Sequence, residues 1–204
     1  LDLLTQRDLP NWGLNVKPQV MQRLLKMLAA VHGQLWNASQ IGQSLGLSYH
    51  TINGYVHFLE GTFLIRKLQP WSANLRKRLV RSPKFYWRDT GILHSLLGVR
   101  DNKTLLNQPW VGASWEGFVI EQILDTLNNT GRPVDAWFLR TSDGSEIDLL
   151  IRYDNTLWAI EVKLTSHPSL QDFDSLNRAA DMVGADKRVL VSQTTQAAMG
   201  EDKI

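Results

Sequence analysis

The sequence predicts an α/β domain preceded by a mostly helical region, and two observations lead to this prediction. Between residues 17 and 61, apolar residues recur at the spacing of one helix face, and glycines separate the segments. Between residues 134 and 164, three largely apolar runs, interrupted by single acidic residues, are separated by turn residues, as expected for buried strands joined by tight turns. The predicted elements of the second region follow the order αβββαβ: helix 115–128, strands 134–140, 146–153 and 157–164, helix 169–182 and strand 188–192.

The helical region has the features of a helix-turn-helix. Residues 17–32 predict a first helix with an apolar face. Asn37 is suited to cap a second helix, Gly46 to form the turn after it, and Ser48 to cap a third helix. A short helix, a glycine turn and a serine-capped helix are typical of DNA-binding helix-turn-helix units.

A wing is predicted after the third helix. Two apolar segments, 63–71 and 81–89, would form its strands on either side of a basic loop. The sequence therefore predicts four regions. Residues 1–16 are the tail of a preceding domain, residues 17–88 a winged helix-turn-helix, residues 89–112 a connector and residues 113–204 an α/β domain.

The charge of the chain is unevenly distributed. Eight cations and no carboxylate lie between Gly61 and Arg88, so the rest of the chain carries −6 once these eight are subtracted from the net charge of +2. Such a segment favours a polyanion, most often DNA, although a solvated loop or a contact with an acidic domain would also explain it. The predicted nucleic-acid-binding residues are Arg76, Lys77, Arg78, Arg81, Lys84 and Asn53.

The third helix, over residues 49–60, contains no Arg or Lys. Asn53 on this helix could read adenine, but without cations the helix would hold phosphate weakly. We therefore expect the basic wing to hold DNA through phosphates rather than bases. A protein-docking or spacer role for the helix-turn-helix has equal weight.

Composition excludes several classes of protein. The chain has no cysteine, so it has neither a disulfide framework nor a thiolate metal site, and a cytoplasmic location is favoured. No apolar run approaches the roughly 18 residues of a membrane-spanning helix, and no secretory signal is visible. We expect a cytoplasmic protein without a membrane partner, and the sequence leaves an oligomer open.

Acidic residues interrupt the apolar strands of the second region. Alternation places Glu161 and Lys163 on one strand face, and a turn at Asp154-Asn155 would bring Asp148 of the preceding strand opposite them. An exposed ion pair would be the simplest explanation of Glu161 and Lys163. The position of Asp148 between apolar neighbours weighs against it.

A third carboxylate comes from the helix over residues 115–128. A rotation of about 100° per residue places Glu116 near the middle of its apolar face and Glu121 on the opposite side. The preference for acidic residues near a helix N-terminus explains the place of Glu116 along the helix but not its direction. A carboxylate that faces a core is costly unless it is paired.

These residues could form a catalytic metal site. Asp148, Glu161 and the carbonyl oxygen of Val162 would hold Mg²⁺ or Mn²⁺, and Glu116 would hold metal-bound waters or a second ion. The cation would polarise a phosphodiester and lower the pKa of an attacking water, while Lys163 would orient that water or stabilise charge on the phosphate. The predicted catalytic residues are Glu116, Asp148, Glu161 and Lys163.

Glu116, Asp148 and the segment 161–163 (EVK) together resemble the PD-(D/E)XK nuclease superfamily, whose restriction-endonuclease-like core is αβββαβ. The resemblance covers residues 110–193 and departs at Ile147, where the motif has proline. It implies metal-dependent hydrolysis of phosphodiesters.

A second resemblance covers nearly the whole chain. It is to the C-terminal half of predicted AAA+-type P-loop ATPases, which end in a domain of unknown function with a nuclease-like fold, and it is carried by the segments RDLPNWG, NLRKRLVRSPKFYWRDTGILHSLLG, WEGFVIEQIL and SEIDLLI. It implies an N-terminal ATPase domain as a partner. ATP would bind only there, because no G-x-x-x-x-G-K-[ST] motif occurs in these residues.

Three functions therefore compete. The first is a metal-dependent nuclease domain behind a winged helix, coupled to an ATPase. The second is a catalytically silent nuclease fold that serves as a DNA- or protein-binding regulatory module. The third is a tail that recognises a protein substrate for the ATPase. The presence of all four predicted catalytic residues favours the enzyme.

Overall fold

Helices dominate the first part of the chain and strands the second, in a computed structural model that describes residues 2–72, 79–195 and 197. The chain divides into two units, each made of two separate segments: Leu1–Lys67 with Lys84–Gly117, and Leu68–Pro83 with Phe118–Ile204. Residues 1–16 and 89–112, predicted to be a tail and a connector, belong to the first unit.

The helical segments begin with a π-helical turn that continues into α1. In chain order they are the π-helical turn (Leu4–Asp8), α1 (Leu9–Asn11), α2 (Pro18–Ala30), α3 (Ala38–Leu45), α4 (Tyr49–Gly61), α5 (Thr90–Leu96), α6 (Asn102–Leu106), α7 (Val111–Asn128) and α8 (Leu170–Val183). The strands are β1 (Ile65–Pro70), β2 (Lys84–Trp87), β3 (Asp135–Arg140), β4 (Glu146–Tyr153), β5 (Thr156–Val162) and β6 (Lys187–Val191).

The predicted caps of α3 and α4 are confirmed. The side chain of Asn37 accepts a hydrogen bond from the backbone N–H of Gln40, and that of Ser48 accepts one from the N–H of Thr51. Gly46 ends α3 in the left-handed conformation, with φ of 67°. Each cap satisfies a backbone group that the helix itself leaves unpaired.

Strand β2 is anchored in the first unit on both sides. Phe85 exchanges two backbone hydrogen bonds with the segment before α3, accepting from the N–H of Gly33 at 2.7 Å and donating to the carbonyl of Gln34 at 2.9 Å. On the other side of β2, the N–H of Arg88 donates to the carbonyl of Leu64 at 3.1 Å. The first unit is therefore a set of helices completed by short extended segments.

The core of the first unit combines its helices with β2. Leu9 and Leu14, from the first fourteen residues, lie in this core with 0% and 8% exposure. The fully buried members from α2, α4 and β2 include Leu24, Leu25, Leu28, Ile52, Leu59, Phe85 and Trp87.

The second unit contains a mixed sheet in the order β1-β3-β4-β5-β6, to which β1 contributes its last three residues, 68–70. Strands β3, β4 and β5 are antiparallel neighbours, whereas β5 and β6 are parallel and joined through α8. Helix α8 packs Leu176, Ala179 and Ala180 into a cluster with Leu150 and Ala159 of the sheet. The predicted order of elements is confirmed, and the protein is α/β with a helical N-terminal part.

Among the described residues, no helix has the length and apolar character needed to cross a membrane.

Candidate active site

The β4–β5 hairpin places two carboxylates opposite each other. Its turn is formed by Asp154 and Asn155, both at positive φ (48° and 62°), as the predicted tight turn requires. The last paired residues of the ladder are Leu149 and Ile160, so the next position sets Asp148 across from Glu161, on the same face of the sheet. Where this pairing ends, the carboxylate of Asp148 accepts a hydrogen bond from the N–H of Val162 at 3.0 Å.

Glu161 is buried, and its two oxygens differ in their surroundings. The Oε1 atom lies 2.7 Å from the ammonium nitrogen of Lys163, whereas Oε2 is buried and has no hydrogen-bond partner. The pKa of Glu161 is raised to about 7, first because burial disfavours the charged carboxylate and second because Asp148 is negative. The hydrogen bond from Lys163 acts in the opposite direction but is weaker.

Lys163 lies at the edge of this pair, with a side chain that is 39% exposed. Its backbone N–H donates to the carbonyl of Val191 at 2.9 Å, which fixes the residue beside β6. Burial alone would lower its pKa, but the hydrogen bond to Glu161 and the charges of Glu161, Asp148 and Asp172 raise it. The side chain is therefore a cation at neutral pH.

Asp172 belongs to the first turn of α8. Its carboxylate accepts hydrogen bonds from the N–H and hydroxyl of Ser169, and the N–H of Asp172 donates back to that hydroxyl, which makes a capping box. The charge of Lys163 contributes to lowering the pKa of Asp172, after these hydrogen bonds. The start of α8 is thus ordered close to the Lys163 ammonium.

The chemistry of this group fits a hard divalent cation. Two carboxylates lie opposite each other, and one buried oxygen, Oε2 of Glu161, lacks a partner. Mg²⁺ and Mn²⁺ prefer such oxygen ligands. Within residues 2–72, 79–195 and 197, no three His, Asp or Glu side chains are grouped closely enough to hold a metal ion, so Asp148 and Glu161 act as a pair.

Glu116 lies in the first unit, on α7, and its carboxylate is paired there. Its Oε1 atom accepts a hydrogen bond from the ammonium of Lys84 at 2.9 Å and another from the hydroxyl of Tyr86. A carboxylate that faces a core needs a partner, and for Glu116 this partner is Lys84. The role of Glu116 as a metal ligand stays a prediction.

The prediction that Lys84 contacts nucleic acid is wrong. The side chain of Lys84 is 4% exposed, and its ammonium is held by Glu116. A lysine in this position neutralises a buried carboxylate instead of meeting a phosphate. Lys84 was predicted to belong to the basic wing from its charge alone, because the sequence does not show which face of the strand is buried.

The prediction that Glu121 points away from the core is also wrong, because Glu121 is 2% exposed. The buried face of α7 includes Ser114, Gly117, Glu121 and Leu124, whose spacing is that of one helix side. Ser114 and Gly117 are not counted in a pattern of apolar residues, so the predicted buried face of α7 was rotated away from the observed one. Small residues in line with Leu124 were the signal that could have located it.

Gly117 is small because His32 packs against it. A Cβ atom at residue 117 would lie 2.6 Å from Nε2 of His32. The Nδ1 atom of His32 accepts the N–H of Trp87 at 3.0 Å, so its Nε2–H donates to the carbonyl of Ala113 at 3.1 Å. Burial lowers the pKa of His32 to about 4, and the ring is neutral at pH 7.

The remaining predicted nucleic-acid-binding residues have different outcomes. Arg81 is exposed. The Oδ1 atom of Asn53 accepts the indole N–H of Trp36 at 3.1 Å, which engages one of the two groups needed to read adenine. Arg76, Lys77 and Arg78 lie outside the described residues.

The protein is therefore of the α/β class, and its candidate site is a pair of buried carboxylates beside a lysine. Residues 1–103 match the family model described as a domain of unknown function (DUF8612), and residues 111–204 match the one described as a domain of unknown function (DUF4143). Because the first match covers half of the chain, the chain belongs to the DUF8612 family.

Similar proteins are known from three bacteria. Uncharacterized proteins of Mycobacterium bovis and Mycobacterium tuberculosis are each 40% identical over 165 residues, which is 81% of this chain and 36% of theirs. An uncharacterized protein of Haemophilus influenzae is 24% identical over 85% of this chain and 40% of its own length. The chain thus spans well under half the length of these relatives.

One solved structure, the crystal structure of transcriptional regulator PA3341, shares 22% sequence identity with this chain. The match covers 61% of this chain and 88% of that one, with a TM-score of 0.26.

Proposed function

We propose that the second unit is a metal-dependent phosphodiester hydrolase of the PD-(D/E)XK type that acts on nucleic acid. The observation that carries this proposal is the buried Oε2 atom of Glu161, which has no hydrogen-bond partner. The carboxylate of Asp148 lies opposite, so a second acidic group is available to the same cation. A buried carboxylate oxygen without a partner costs free energy, and a cation bound between the two carboxylates would offset it. The αβββαβ order of α7, β3 to β5, α8 and β6 supports the same class.

Asp148 and Glu161 would supply carboxylate oxygens to Mg²⁺ or Mn²⁺, and Val162 would supply its carbonyl oxygen. When bound, the cation would act as a Lewis acid, which polarises the phosphodiester and lowers the pKa of a water. Asp148 is held ready by the N–H of Val162, and Glu161 by the ammonium of Lys163. Both carboxylates are therefore positioned before a ligand arrives.

Lys163 would contact the reacting phosphate. Its ammonium is partly exposed and has three N–H donors, of which Glu161 uses one. The others are suited to a phosphate oxygen or to the attacking water, where a positive charge stabilises the negative charge that develops. The raised pKa keeps that charge in place at neutral pH.

The test is cleavage of linear and plasmid DNA with Mg²⁺ or Mn²⁺. We expect Asp148→Asn, Glu161→Gln and Lys163→Met each to reduce the rate at least about 100-fold. Asp174→Asn, an exposed carboxylate of α8, is the matched control and keeps the wild-type rate. A wild-type rate in Lys163→Met contradicts the proposal, as does a lack of cleavage by both the chain and the full-length protein with ATP.

We propose that a winged helix over residues 17–88 holds DNA, chiefly through its basic wing, of which residues 68–83 belong to the second unit. Its support is the capped α3–α4 pair, followed by β1 and by β2 with its bridge from Lys84 to Leu35. The resemblance to AAA+-type proteins and the greater length of the relatives support coupling to an ATP-binding domain. DNA affinity that does not change when Arg76, Lys77, Arg78 and Arg81 are replaced by glutamine would contradict the role of the wing.

A second candidate function is a catalytically silent module that binds DNA or protein. The observation in its favour is that Lys163 already neutralises Glu161, while no third acidic or histidine ligand joins the pair among the described residues. The carboxylate of Glu116 is likewise engaged by Lys84 and Tyr86. DNA binding that persists in all three site variants, without cleavage by the wild type, identifies this function.

A further inference from the structure

The side of α8 that packs on the sheet ends in a carboxylate. Leu176 and Ala179 of this helix belong to a buried cluster with Ala159 of β5. Asp172 lies four residues before Leu176 and seven before Ala179, and residues at this spacing share one side of a helix. The side chain of Asp172 therefore continues the sheet-facing side of α8 at its first turn.

The strand below this side of α8 leads to the candidate site. Glu161 and Lys163 follow Ala159 at alternate positions, so the three residues share one face of the sheet. Because α8 joins the parallel strands β5 and β6, it runs in the direction opposite to β5. The strand advances about 13 Å from Ala159 to Lys163, and the helix about 10 Å from Ala179 back to Asp172. Lys163 and Asp172 therefore lie at the same end of the two layers.

Short-range hydrogen bonds order the segment between these two residues. The N–H of Thr165 donates to the carbonyl of Lys163 at 2.9 Å, and the N–H of His167 donates to the hydroxyl of Thr165 at 3.1 Å. The capping box of Ser169 and Asp172 follows at the start of α8. The position of Asp172 relative to Lys163 is thus fixed by the backbone.

One oxygen of Asp172 makes all the hydrogen bonds of its carboxylate. Oδ2 accepts both the N–H and the hydroxyl of Ser169, at 2.8 and 2.7 Å. Within the described part of the chain, Oδ1 has no hydrogen-bond or ion-pair partner. After the hydrogen bonds from Ser169, the charge of Lys163 also lowers the pKa of Asp172, so the two charges are close enough to interact. Asp172 therefore offers Lys163 a second carboxylate besides Glu161.

The charges of the site make this second carboxylate useful. When ionised, Asp148, Glu161 and Asp172 carry three negative charges and Lys163 one positive charge, a balance that a divalent cation neutralises. A cation on Glu161 would, however, repel the ammonium that lies 2.7 Å from Oε1 of the same carboxylate. Asp172 is a negative partner for that ammonium away from the carboxylate pair.

We propose that Asp172 is a positioning residue for Lys163, whose ammonium moves from Oε1 of Glu161 to Oδ1 of Asp172 when a divalent cation binds the carboxylate pair. Held there, the ammonium keeps N–H donors for a phosphate oxygen. The move rests on the metal site proposed for the second unit. It explains how Lys163 neutralises Glu161 in the free chain without blocking the cation.

A crystal structure of the Glu161→Gln variant, grown in EDTA, tests the move without metal. Glutamine removes the charge that holds the ammonium, as a bound cation would neutralise it. The Nζ atom of Lys163 should then lie about 3 Å from Oδ1 of Asp172. An ammonium that remains beside residue 161, or that contacts neither side chain, overturns the proposal.

The second experiment measures Mn²⁺ affinity by isothermal titration calorimetry. Asp172→Asn keeps one oxygen for the capping box but loses the charge, and it should weaken Mn²⁺ binding about tenfold. In a Lys163→Met background the same substitution should weaken binding no more than about threefold, because no ammonium needs a new partner. Equal weakening in both backgrounds would mean that Asp172 acts on the cation directly, which contradicts the proposal.

Two controls separate the position of Asp172 from its charge and from its role in the helix. Asp174→Asn makes the same charge change at an exposed residue of α8, and Ser169→Ala removes the capping hydroxyl but leaves both oxygens of Asp172. Both variants should bind Mn²⁺ within about twofold of the wild type. A tenfold loss in Ser169→Ala would assign the effect of Asp172 to the start of α8 and overturn the proposal.

The two experiments also distinguish this move from the metal site on which it rests. Equal Mn²⁺ binding by the wild type and by Glu161→Gln would contradict the metal site and, with it, the proposed function. A Lys163 ammonium that does not reach Asp172 in the metal-free structure would contradict the move alone.

Discussion

Three buried charged side chains are accommodated in different ways. Lys84 has a carboxylate partner in Glu116, and Asp148 accepts a backbone N–H. Glu161 has a cation on one oxygen and nothing on the other. Buried charges are tolerated when paired, so the unpaired oxygen of Glu161 is the exception that directs attention to the β4–β5 hairpin.

Lys84→Met should destabilise the protein by about 3 kcal/mol, because it leaves the half-buried Glu116 carboxylate without its cation. The double variant Lys84→Met/Glu116→Gln should recover most of this loss. Urea unfolding followed by circular dichroism measures both. The control is Lys67→Met, which breaks the more exposed pair with Glu60 and should cost less than about 1 kcal/mol. Equal losses for the two lysines would contradict the prediction.

His32 should make folding sensitive to mild acid. Its pKa is about 4 in the folded chain and about 6.5 when unfolded, so the unfolded state binds more protons between these values. Stability should be complete above about pH 7 and fall by about 3 kcal/mol as the pH decreases to about 4.

The measurement is urea unfolding of the wild type and of His32→Gln at several pH values. Glutamine keeps a donor and an acceptor but does not titrate, so the variant should have a flatter profile between pH 7 and pH 4. An equally steep profile in the variant would assign the acid sensitivity to carboxylates instead.

At the scale of elements, local signals were sufficient where a single residue ends or begins a helix. Asn37, Gly46 and Ser48 were predictable because a cap depends on the residue itself and on the next few N–H groups. The hairpin turn at Asp154 and Asn155 was predictable for the same reason. The buried face of α7 was not, because it depends on what packs against Gly117.

Ser48→Ala should destabilise the protein by about 1 kcal/mol, because α4 then loses the acceptor for the N–H of Thr51. Ser44→Ala is the matched control. The hydroxyl of Ser44 only donates to a carbonyl within α3, so its loss should change stability by less than about 0.5 kcal/mol. Thermal unfolding distinguishes them, and equal effects would show that the cap contributes nothing measurable.

At the scale of the whole molecule, the carboxylate pair was predictable in part. Strand alternation and turn position set Asp148 opposite Glu161, since both are local properties. The pairing of Lys84 with Glu116 was not predictable, because 32 residues separate them along the chain and no periodic signal links them. The discontinuous units were missed because the chain passes between them within predicted elements.

Mn²⁺ should stabilise the folded chain if Asp148 and Glu161 hold it. At a concentration about 100 times the dissociation constant, the expected gain is about 2.7 kcal/mol, seen as a higher melting temperature. Glu161→Gln should abolish the shift, and Asp174→Asn should retain it. A shift of the same size in Glu161→Gln would place the cation elsewhere, whatever the outcome of a cleavage assay.

The chain changes unit three times, after Lys67, after Pro83 and after Gly117, and the first and last of these points lie within β1 and α7. During synthesis, the first unit cannot be completed until Gly117 has left the ribosome, by which time part of the second has already emerged. Recombination that transfers one continuous stretch of the gene would leave one of the units incomplete, because it would lack a strand or one half of a helix. The two units are therefore expected to be inherited together, even though separate family models, meeting between residues 103 and 111, describe them.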